Sequence, residues 1–291
     1  KNSKIFVIVL VLLVVISLGS IAKYGLNLGM DFTGGSRLEV DYPKGLPDMT
    51  KVRTAVDALN LNAVVQPIGA TGLMVKARDL KESDRVALVS ALSVDGTEVV
   101  DKQFTSIGPT IGGELKTKAI YSILLVLIAI ALFVSYAFRK VSGAVKSWEY
   151  GMATILSLAH DVIIPLGIFA YLGHLYGIEV DSLFVTALLT ILGFSVHDTI
   201  VVFDRIRENL KLKKSKDFTE IVGLSLYQTV SRSRNTSLAV VLTLLALLNF
   251  GSESVRYFCL TMIVGIIAGT YSSVLLASPI LVVIQGWKTK K

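Results

Sequence analysis

The sequence is poor in cysteine, in charge and in nucleotide-binding motifs. Its one cysteine, Cys259, excludes an intrachain disulfide and a thiolate metal cluster. Charged residues make up 18% of the chain, whereas soluble globular domains carry about a quarter. No glycine-rich loop is followed by Lys-Ser or Lys-Thr at the offset of a phosphate-binding loop. The sequence therefore predicts neither a nucleotide-driven enzyme nor a bound cofactor.

Long apolar segments are abundant instead. Hydrophobic residues account for 53% of the chain, and the mean hydropathy is +0.66. A membrane-spanning helix needs about 20 predominantly apolar residues. Six segments reach or approach this length: residues 5–22, 119–138, 151–172, 183–203, 238–250 with polar residues before it, and 258–284. The sequence predicts an integral membrane protein with six transmembrane helices.

The first apolar segment has two interpretations. Its length and the lack of a small-residue cleavage pattern before Lys23 favour a retained membrane span. Ser17, Gly19 and Ala22 leave a removable secretion signal open as the alternative. Because the sequence does not begin with Met, it is also compatible with a trimmed chain or with the second part of a longer polypeptide.

Basic residues flank the apolar segments as the positive-inside rule describes. They cluster at residues 1–4, 139–146, 205–216 and 288–291, whereas the connections 173–181 and 251–257 hold one arginine between them. This distribution predicts that both termini are cytoplasmic. The net charge of +7 is explained by membrane topology, so it does not indicate a nucleic-acid partner.

One long polar stretch lies between the first two apolar segments and is expected on the extracytoplasmic side. The predicted division is residues 1–23 as the first span, 24–117 as an external domain, and 118–291 as the remaining spans. Alternating apolar residues predict strands at 35–42, 62–68, 73–77 and 98–107, and helical spacing predicts helices at 47–59 and 83–92. The order β-α-β-β-α-β predicts a small ferredoxin-like α+β domain.

Glycine motifs bound this domain on both sides, 29-GMDFTGGSR-37 before it and 107-IGPTIGGEL-115 after it. Glycine permits positive φ and close backbone approach, so these motifs predict tight junctions between the sheet and the membrane helices. A phosphate-binding loop is the alternative, but no helix pattern follows at the required position. The junction residues singled out are Asp31, Gly34, Gly35, Gly108, Pro109 and Gly112.

Ionisable residues occur inside the predicted spans, where a charge costs about 2.5 to 3.5 kcal/mol on insertion scales. His160 and Asp161 lie in the third span, and His197 and Asp198 lie in the fourth. Arg232 precedes the fifth span at a depth comparable to that of Asp198. We therefore expect Asp198 and Arg232 to form an ion pair that opens when the carboxylate is protonated. His160, Asp161 and His197 are the further candidate members of this proton relay.

Simpler interpretations remain open for the same residues. The Asp198–Arg232 pair can be an assembly clamp, and each histidine can be a packing group bonded to a backbone carbonyl. Two His-Asp pairs also suggest a site for Zn, Mn or Fe. Adjacent residues on a helix point about 100° apart, so such a pair grips a single ion poorly, and metal transport is the less favoured hypothesis.

Five motifs together resemble the SecF branch of the SecD/SecF family of protein-export membrane subunits. They are GMDFTGGS, IGPTIGGEL, LAHDVIIPLG, SVHDTIVVFDRIREN and QTVSRSRNTS, spread over residues 29–237. The resemblance implies six spans with a large loop after the first, similar to one half of a resistance-nodulation-division (RND) transporter. It also implies the bacterial cytoplasmic membrane as the location.

The resemblance implies a function as well. A SecF-like protein would work with a SecD-like subunit beside the SecYEG channel and use the proton motive force to help draw preproteins across the membrane. By its motif, Asp198 matches the essential intramembrane aspartate of the family, and Arg232 matches the arginine of the next helix. This chain has His197 where the family usually has Asn, which leaves the pH range of activity open.

Two other classes of function are also compatible with the sequence. A proton-driven exporter of small solutes or metal ions would share the same half-transporter plan. A passive scaffold would hold the channel partners together without using the proton gradient.

Overall fold

The computed structural model describes residues 3–77, 80–139, 145–212 and 217–289. It divides into two compact units, one formed by Leu28–Ala119 and the other by Lys1–Asn27 with Ile120–Lys291. In chain order the elements are α1 (Ser3–Tyr24), α2 (Met30–Thr33), β1 (Gly35–Asp41), α3 (Met49–Asp57), β2 (Val64–Ile68), β3 (Gly72–Ala77), α4 (Glu82–Leu92), β4 (Val100–Ile107), α5 (Pro109–Ala137), α6 (Ser147–Tyr176), α7 (Ser182–Leu212), α8 (Phe218–Phe250), α9 (Arg256–Ser272) and α10 (Ser278–Thr289).

The unit Leu28–Ala119 is built on a four-stranded antiparallel sheet with the strand order β2-β3-β1-β4. Alternate residues of β1, such as Leu38 and Val40, pack with Val52 of α3 and Leu88 of α4. The sheet therefore buries one face under its two helices. This topology confirms the ferredoxin-like prediction.

Two side-chain hydrogen bonds secure the helices of this unit. The Tyr42 hydroxyl donates to the carbonyl of Leu92 at 3.0 Å, at the end of α4. Asp48 caps α3 by accepting a hydrogen bond from the Thr50 amide at 2.8 Å. That backbone donor favours the ionised form, so the pKa of Asp48 lies below its ordinary value.

The other unit is a bundle of apolar helices. Five of the helical segments are long and apolar enough to cross a membrane: Pro109–Ala137, Ser147–Tyr176, Ser182–Leu212, Phe218–Phe250 and Arg256–Trp287. The remaining predicted span, residues 5–22, lies within α1 (Ser3–Tyr24), whose part Ile8–Tyr24 is also apolar. Among the described residues, five spans are thus supported by length and composition, and α1 is a further apolar helix.

Two helices differ from their predicted bounds. The polar residues before 238 are helical, because α8 begins at Phe218 behind an Asp217 cap that accepts from the Thr219 amide. The last apolar segment is not one regular helix, since a π-helical turn, Ser273–Ala277, separates α9 from α10. Hydropathy alone does not predict the start of α8, because the Asp217 cap determines it. It also does not predict the π-helical turn, because tertiary hydrogen bonds accompany that turn.

Small residues bring the helices close together. A Cβ on Gly167 of α6 would lie 2.3 Å from the Cβ of Ser17 on α1. The Ser20 hydroxyl of α1 donates to the Gly167 carbonyl at 2.9 Å across the same contact. Close approach of this kind is how helices associate in a membrane, where there is no hydrophobic driving force between them.

Candidate functional site

Asp161 of α6 is at the centre of a polar cluster inside the helical bundle. Its side chain is fully buried, and its Oδ2 accepts hydrogen bonds from the hydroxyls of Ser195 on α7 (2.5 Å) and Ser272 on α9 (3.0 Å). The Nδ1 of His160 lies 3.0 Å from its Oδ1. Three helices therefore meet on one carboxyl group, which is well satisfied by donors.

A second layer of hydroxyls extends this cluster, which we call the Asp161 cluster. Ser157 of α6 donates to the hydroxyl of Ser272 at 3.1 Å. At the start of the π-helical turn, the hydroxyl of Ser273 lies 2.9 Å from that of Thr199 on α7 and donates to the Gly269 carbonyl. The irregular turn between α9 and α10 thus carries one hydroxyl group, that of Ser273, which contacts α7.

Gly269 allows α9 to approach the cluster. A Cβ at this position would lie 2.9 Å from the Cβ of Ser195 and 3.5 Å from Oδ2 of Asp161. Any larger residue would separate the hydroxyl of Ser195 from its acceptor or displace α9. The geometry of the Asp161 cluster therefore requires a residue without a side chain at position 269.

His160 is buried beside Asp161 and is incompletely bonded. Its Nε2 has no hydrogen-bond partner among the residues that the structure describes, and its ring meets Tyr271 edge-on at 5.4 Å. With Nδ1 bonded to Asp161, the neutral imidazole places its proton on Nδ1. A second proton on Nε2 would be a buried donor without an acceptor.

Asp198 of α7 differs from Asp161 in its hydrogen bonding. It is 3% exposed, and the hydroxyl of Ser233 on α8 faces it. Neither Oδ2 of Asp198 nor Oγ of Ser233 has a hydrogen-bond partner in the described part of the chain. Oδ2 of Asp198 is consequently a buried oxygen that accepts no hydrogen bond from the described residues, whereas Asp161 has three neighbouring donors.

The expected ion pair between Asp198 and Arg232 is not formed. Arg232 is exposed, and it lines an open cleft of about 580 Å³ between α7 and α8 together with Asp204, Glu208 and Gln228. Neighbouring positions on a helix point about 100° apart. Ser233 occupies the position facing Asp198, so similar depth did not place Arg232 on the same face.

His197 also points in a different direction from Asp198, because the two are neighbours on one helix. It is exposed on the surface of α7, one position from the buried Asp198. The structure therefore brings together His160 and Asp161 from the predicted residues, but it leaves Asp198, His197 and Arg232 on different faces. Within residues 3–77, 80–139, 145–212 and 217–289, no group of three or more His, Cys, Asp or Glu residues could hold a metal ion.

Sequence reasoning missed the buried hydroxyl groups around the two acids, which belong to Ser157, Ser195, Ser272, Ser273 and Ser233. A signal existed, because polar residues at depth in a span generally face the bundle interior rather than lipid. Ser195 is three positions before Asp198, on a neighbouring face of α7. The spacing could have marked Ser195 as an interior residue, although not its bond to Asp161.

The ends of α7 and α8 nearest their connection are joined by a separate set of hydrogen bonds. The side-chain amide of Asn209, 2% exposed, donates to the hydroxyl of Ser225 at 2.8 Å and to Oε1 of Gln228 at 2.9 Å. Arg205 also donates to Gln228 Oε1, at 2.7 Å. The two helices are therefore fastened to each other at one end, about 16 Å along α7 from Asp198 to Asn209.

The glycine motifs meet at the base of the unit Leu28–Ala119. Gly34 has φ +76°, and a Cβ on it would lie 2.8 Å from the Cα of Pro109, the first residue of α5. A Cβ on Gly112 would lie 2.8 Å from the Gly34 nitrogen. The two motifs thus form one close backbone contact between the chain leading into β1 and the start of α5.

The other predicted junction residues contribute differently. Gly35 has φ +141°, whereas a Cβ on Gly108 would meet no atom within 4 Å. Asp31 lies in the short α2 that precedes Gly34. The close contact therefore depends on Gly34 and Gly112, and Gly108 is not required sterically.

Comparison with protein families gives two matches. The family described as "Protein export membrane protein SecD/SecF, C-terminal" matches residues 89–287, and the family described as "SecD/SecF GG Motif" matches residues 19–42. The second match contains the glycine motif before β1. The first contains every residue of the Asp161 cluster together with Asp198 and Arg232.

Several curated proteins are similar along nearly the whole chain. Protein translocase subunit SecF of Thermobaculum terrenum is 41% identical over 280 residues, covering 92% of this chain and 86% of that protein. The SecF subunit of Rhodothermus marinus is 36% identical over 290 residues, covering 97% and 90%. The similarity therefore includes both units.

Solved structures agree with these comparisons. The crystal structure of SecDF from Thermus thermophilus, a translocon-associated membrane protein, matches with a TM-score of 0.82 and 34% identity. The match covers 99% of this chain and 38% of the SecDF chain. A second SecDF structure, in a super-membrane-facing form, matches with a TM-score of 0.71 and 32% identity. This chain thus spans well under half of the SecDF polypeptide.

Proposed function

The chain belongs to the SecD/SecF family of protein-export membrane proteins, and from this premise we propose that it is a proton-coupled accessory subunit of the Sec protein translocase. Its curated relatives are named protein translocase subunits, and they are similar over most of its length. A SecD-like subunit is the first partner, because the chain aligns with part of the longer SecDF polypeptide. The SecYEG channel and the preprotein complete the proposed assembly.

The proposed location is the bacterial cytoplasmic membrane. Basic residues at the α7–α8 connection and at both chain ends support a cytoplasmic position for these parts. The unit Leu28–Ala119 is then extracytoplasmic, where it would act on an exported chain. Its glycine contact at Gly34 and Gly112 supports a firm base at the start of α5.

One observation carries the proton-coupling proposal, namely that Asp198 is buried and that its Oδ2 accepts no hydrogen bond from the described residues. An unpaired carboxylate is costly among apolar helices, so this arrangement suits the neutral, protonated acid. Release of the proton leaves a charge that needs compensation. A unit charge crossing a membrane potential gains about 2.3 kcal/mol per 100 mV, which is comparable with that cost.

Arg232 is the proposed compensating group. Its side chain lies in the open cleft between α7 and α8 and forms no ion pair with the described residues. After Asp198 loses its proton, we expect Arg232 to turn from the cleft toward the carboxylate. Reprotonation of Asp198 then releases Arg232. The surfaces of α7 and α8 that line the cleft therefore alternate between two packing arrangements.

The Asp161 cluster has a supporting part in this proposal. Its hydrogen bonds join α7 to α6 and α9, so they keep the backbone near Asp198 in place while its charge changes. We therefore assign the proton-carrying role to Asp198 and a positioning role to Asp161 and His160. His197 is exposed and has no part in either bond network of the described residues.

The test is preprotein export into inverted membrane vesicles with and without a proton gradient. Asp198→Asn should abolish the gradient-dependent part of export while leaving co-purification with the SecD-like subunit unchanged. Arg232→Lys keeps the charge but loses the planar guanidinium, so a partial defect is expected. Normal gradient-dependent export by Asp198→Asn would refute the proposal.

An uncoupler distinguishes the scaffold hypothesis. If the protein only holds its partners together, its contribution to export is the same before and after the gradient is dissipated. Proton coupling requires that contribution to fall to the level of the Asp198→Asn variant.

A further inference from the structure

Arg234 occupies a different surface from Arg232. The two residues are two positions apart on α8, which separates their directions by about 200°. Arg232 lines the cleft with α7, whereas Arg234 lines a groove between α8 and α9. Arg234 is exposed and forms no ion pair or hydrogen bond with the residues that the structure describes. The proton-coupling proposal gives it no task.

The groove beside Arg234 is long and mostly apolar. Its volume is about 560 Å³. On α8 it extends from Val230 to Val241, about 16 Å at 1.5 Å per residue. On α9 and the π-helical turn it is lined by Ile267, Tyr271 and Leu275, among others. Such a surface fits a flexible hydrocarbon chain lying parallel to the helices.

Arg234 and Ser233 lie in the half of the groove nearer Val230. The hydroxyl of Ser233 is buried within the protein, and Ser237 and Thr270 are bonded to each other at 2.6 Å. The exposed guanidinium of Arg234 thus adjoins an apolar channel, which is the pattern that an anionic amphiphile requires.

The depth of Arg234 agrees with a lipid headgroup. Phe250 ends α8, and Arg234 lies 16 positions earlier, at a distance of about 24 Å along the helix axis. The hydrocarbon core is about 30 Å thick, so the long arginine side chain can reach the boundary on the side of the α7–α8 connection. Arg234 is therefore placed to meet phosphate groups.

We propose that the groove between α8 and α9 binds one anionic phospholipid, with its phosphate on Arg234 and an acyl chain along Val230–Val241. The guanidinium offers two parallel donors to a phosphate, which a zwitterionic neighbour uses less well because its own ammonium group competes. The occupant is a lipid of the leaflet nearest the α7–α8 connection. This inference requires only membrane insertion, and it stands or falls separately from proton coupling at Asp198.

Native mass spectrometry of the full chain, released from detergent with added phosphatidylglycerol or phosphatidylcholine, tests the proposal. The wild-type protein should retain one phosphatidylglycerol in preference to phosphatidylcholine. Arg234→Gln should weaken phosphatidylglycerol retention about fivefold, the factor that corresponds to about 1 kcal/mol for a basic residue near an anionic leaflet. Arg232→Gln is the matched control, with the same charge change on another face of α8, and should retain the lipid.

Two further arms locate the lipid in the groove. Val241→Trp fills the far end of the groove without altering Arg234, and it should reduce retention by a similar factor. Soluble glycerol phosphate should not displace the lipid, because the acyl chain contributes to binding. Displacement by glycerol phosphate would identify a free-phosphate site and overturn the lipid assignment.

Three other results would also overturn the proposal. The first is equal retention of both lipids by the wild-type protein, and the second is equal loss in Arg234→Gln and Arg232→Gln. The third is unchanged lipid retention in Arg234→Gln accompanied by loss of the SecD-like subunit. That third result would show that a protein partner, rather than a lipid, covers Arg234.

Discussion

The contrast between the two buried acids can be tested directly through stability. Asp161→Ala removes the acceptor of hydrogen bonds from Ser195 and Ser272 and the neighbour of His160 Nδ1. Interhelical side-chain hydrogen bonds in membranes are worth about 0.6 kcal/mol on average and about 1.7 kcal/mol at most. The two interhelical bonds, from Ser195 and Ser272, predict a loss of about 1 to 3 kcal/mol.

Asp198→Ala is the matched comparison. Asp198 is as deeply buried as Asp161, but its Oδ2 has no hydrogen-bond partner among the described residues. Its removal breaks no bond and also removes a polar group from an apolar setting. We expect a change in the free energy of unfolding below about 1 kcal/mol, of either sign.

The assay is reversible unfolding of the purified chain in mixed micelles by titration with a denaturing detergent. Asp161→Asn, which keeps one carbonyl acceptor, should fall between the wild-type protein and Asp161→Ala. Equal destabilisation by Asp161→Ala and Asp198→Ala, or a larger effect at Asp198, would refute the division between a bonded and an unbonded acid.

Three further changes test other parts of the structure. Gly112→Ala would place a Cβ 2.8 Å from the Gly34 nitrogen and should destabilise the unit Leu28–Ala119 by about 1 to 3 kcal/mol. The control is Gly113→Ala, whose Cβ would meet no atom within 4 Å and should not destabilise the unit. Proteolysis of the unit measures the stability of both variants. Asn209→Ala removes the donor to Ser225 and Gln228 and should cost about 1 to 3 kcal/mol in the same micelle titration, with Ser225→Ala closer to wild type. Asp48 stabilises α3 as a carboxylate and its pKa is lowered, so its contribution is present above the ordinary value of 3.8 and is lost as the pH falls through the lowered value. Hydrogen exchange of the α3 amides should therefore distinguish Asp48→Ala from the wild-type protein at neutral pH and lose that difference on acidification.

Local patterns were sufficient to predict the sheet domain. Leu38 and Val40 in β1 and Tyr42 directly after it alternate along the chain and are all buried, which is why a period of two predicted the strand and its inner face. The order of elements then left few topologies, and β2-β3-β1-β4 is one of them. The prediction succeeded because each strand carries its own signal.

The candidate site needed information that local patterns do not hold. Counting along the spans gave Asp198 and Arg232 similar depths, but the direction of a side chain depends on how each helix is rotated against its neighbours. That rotation puts Ser233, not Arg232, opposite Asp198. The Asp161 cluster was missed because its donors lie on α7 and α9, and serine in an apolar helix more often bonds to its own backbone.

The bonds around α8 indicate where the proposed proton cycle can act. Gln228 fastens α8 to α7 through Asn209, and Ser237 fastens it to α9 through Thr270. Gln228 and Ser237 are nine positions apart, about 13 Å along the helix, and the eight residues between them include Arg232 and Ser233. No water replaces a broken hydrogen bond in the hydrocarbon layer, so loosening either end is costly. When the protonation of Asp198 changes, we therefore expect side chains within this stretch to rearrange first. Any larger movement of α8 must break the hydrogen bond between Ser237 and Thr270.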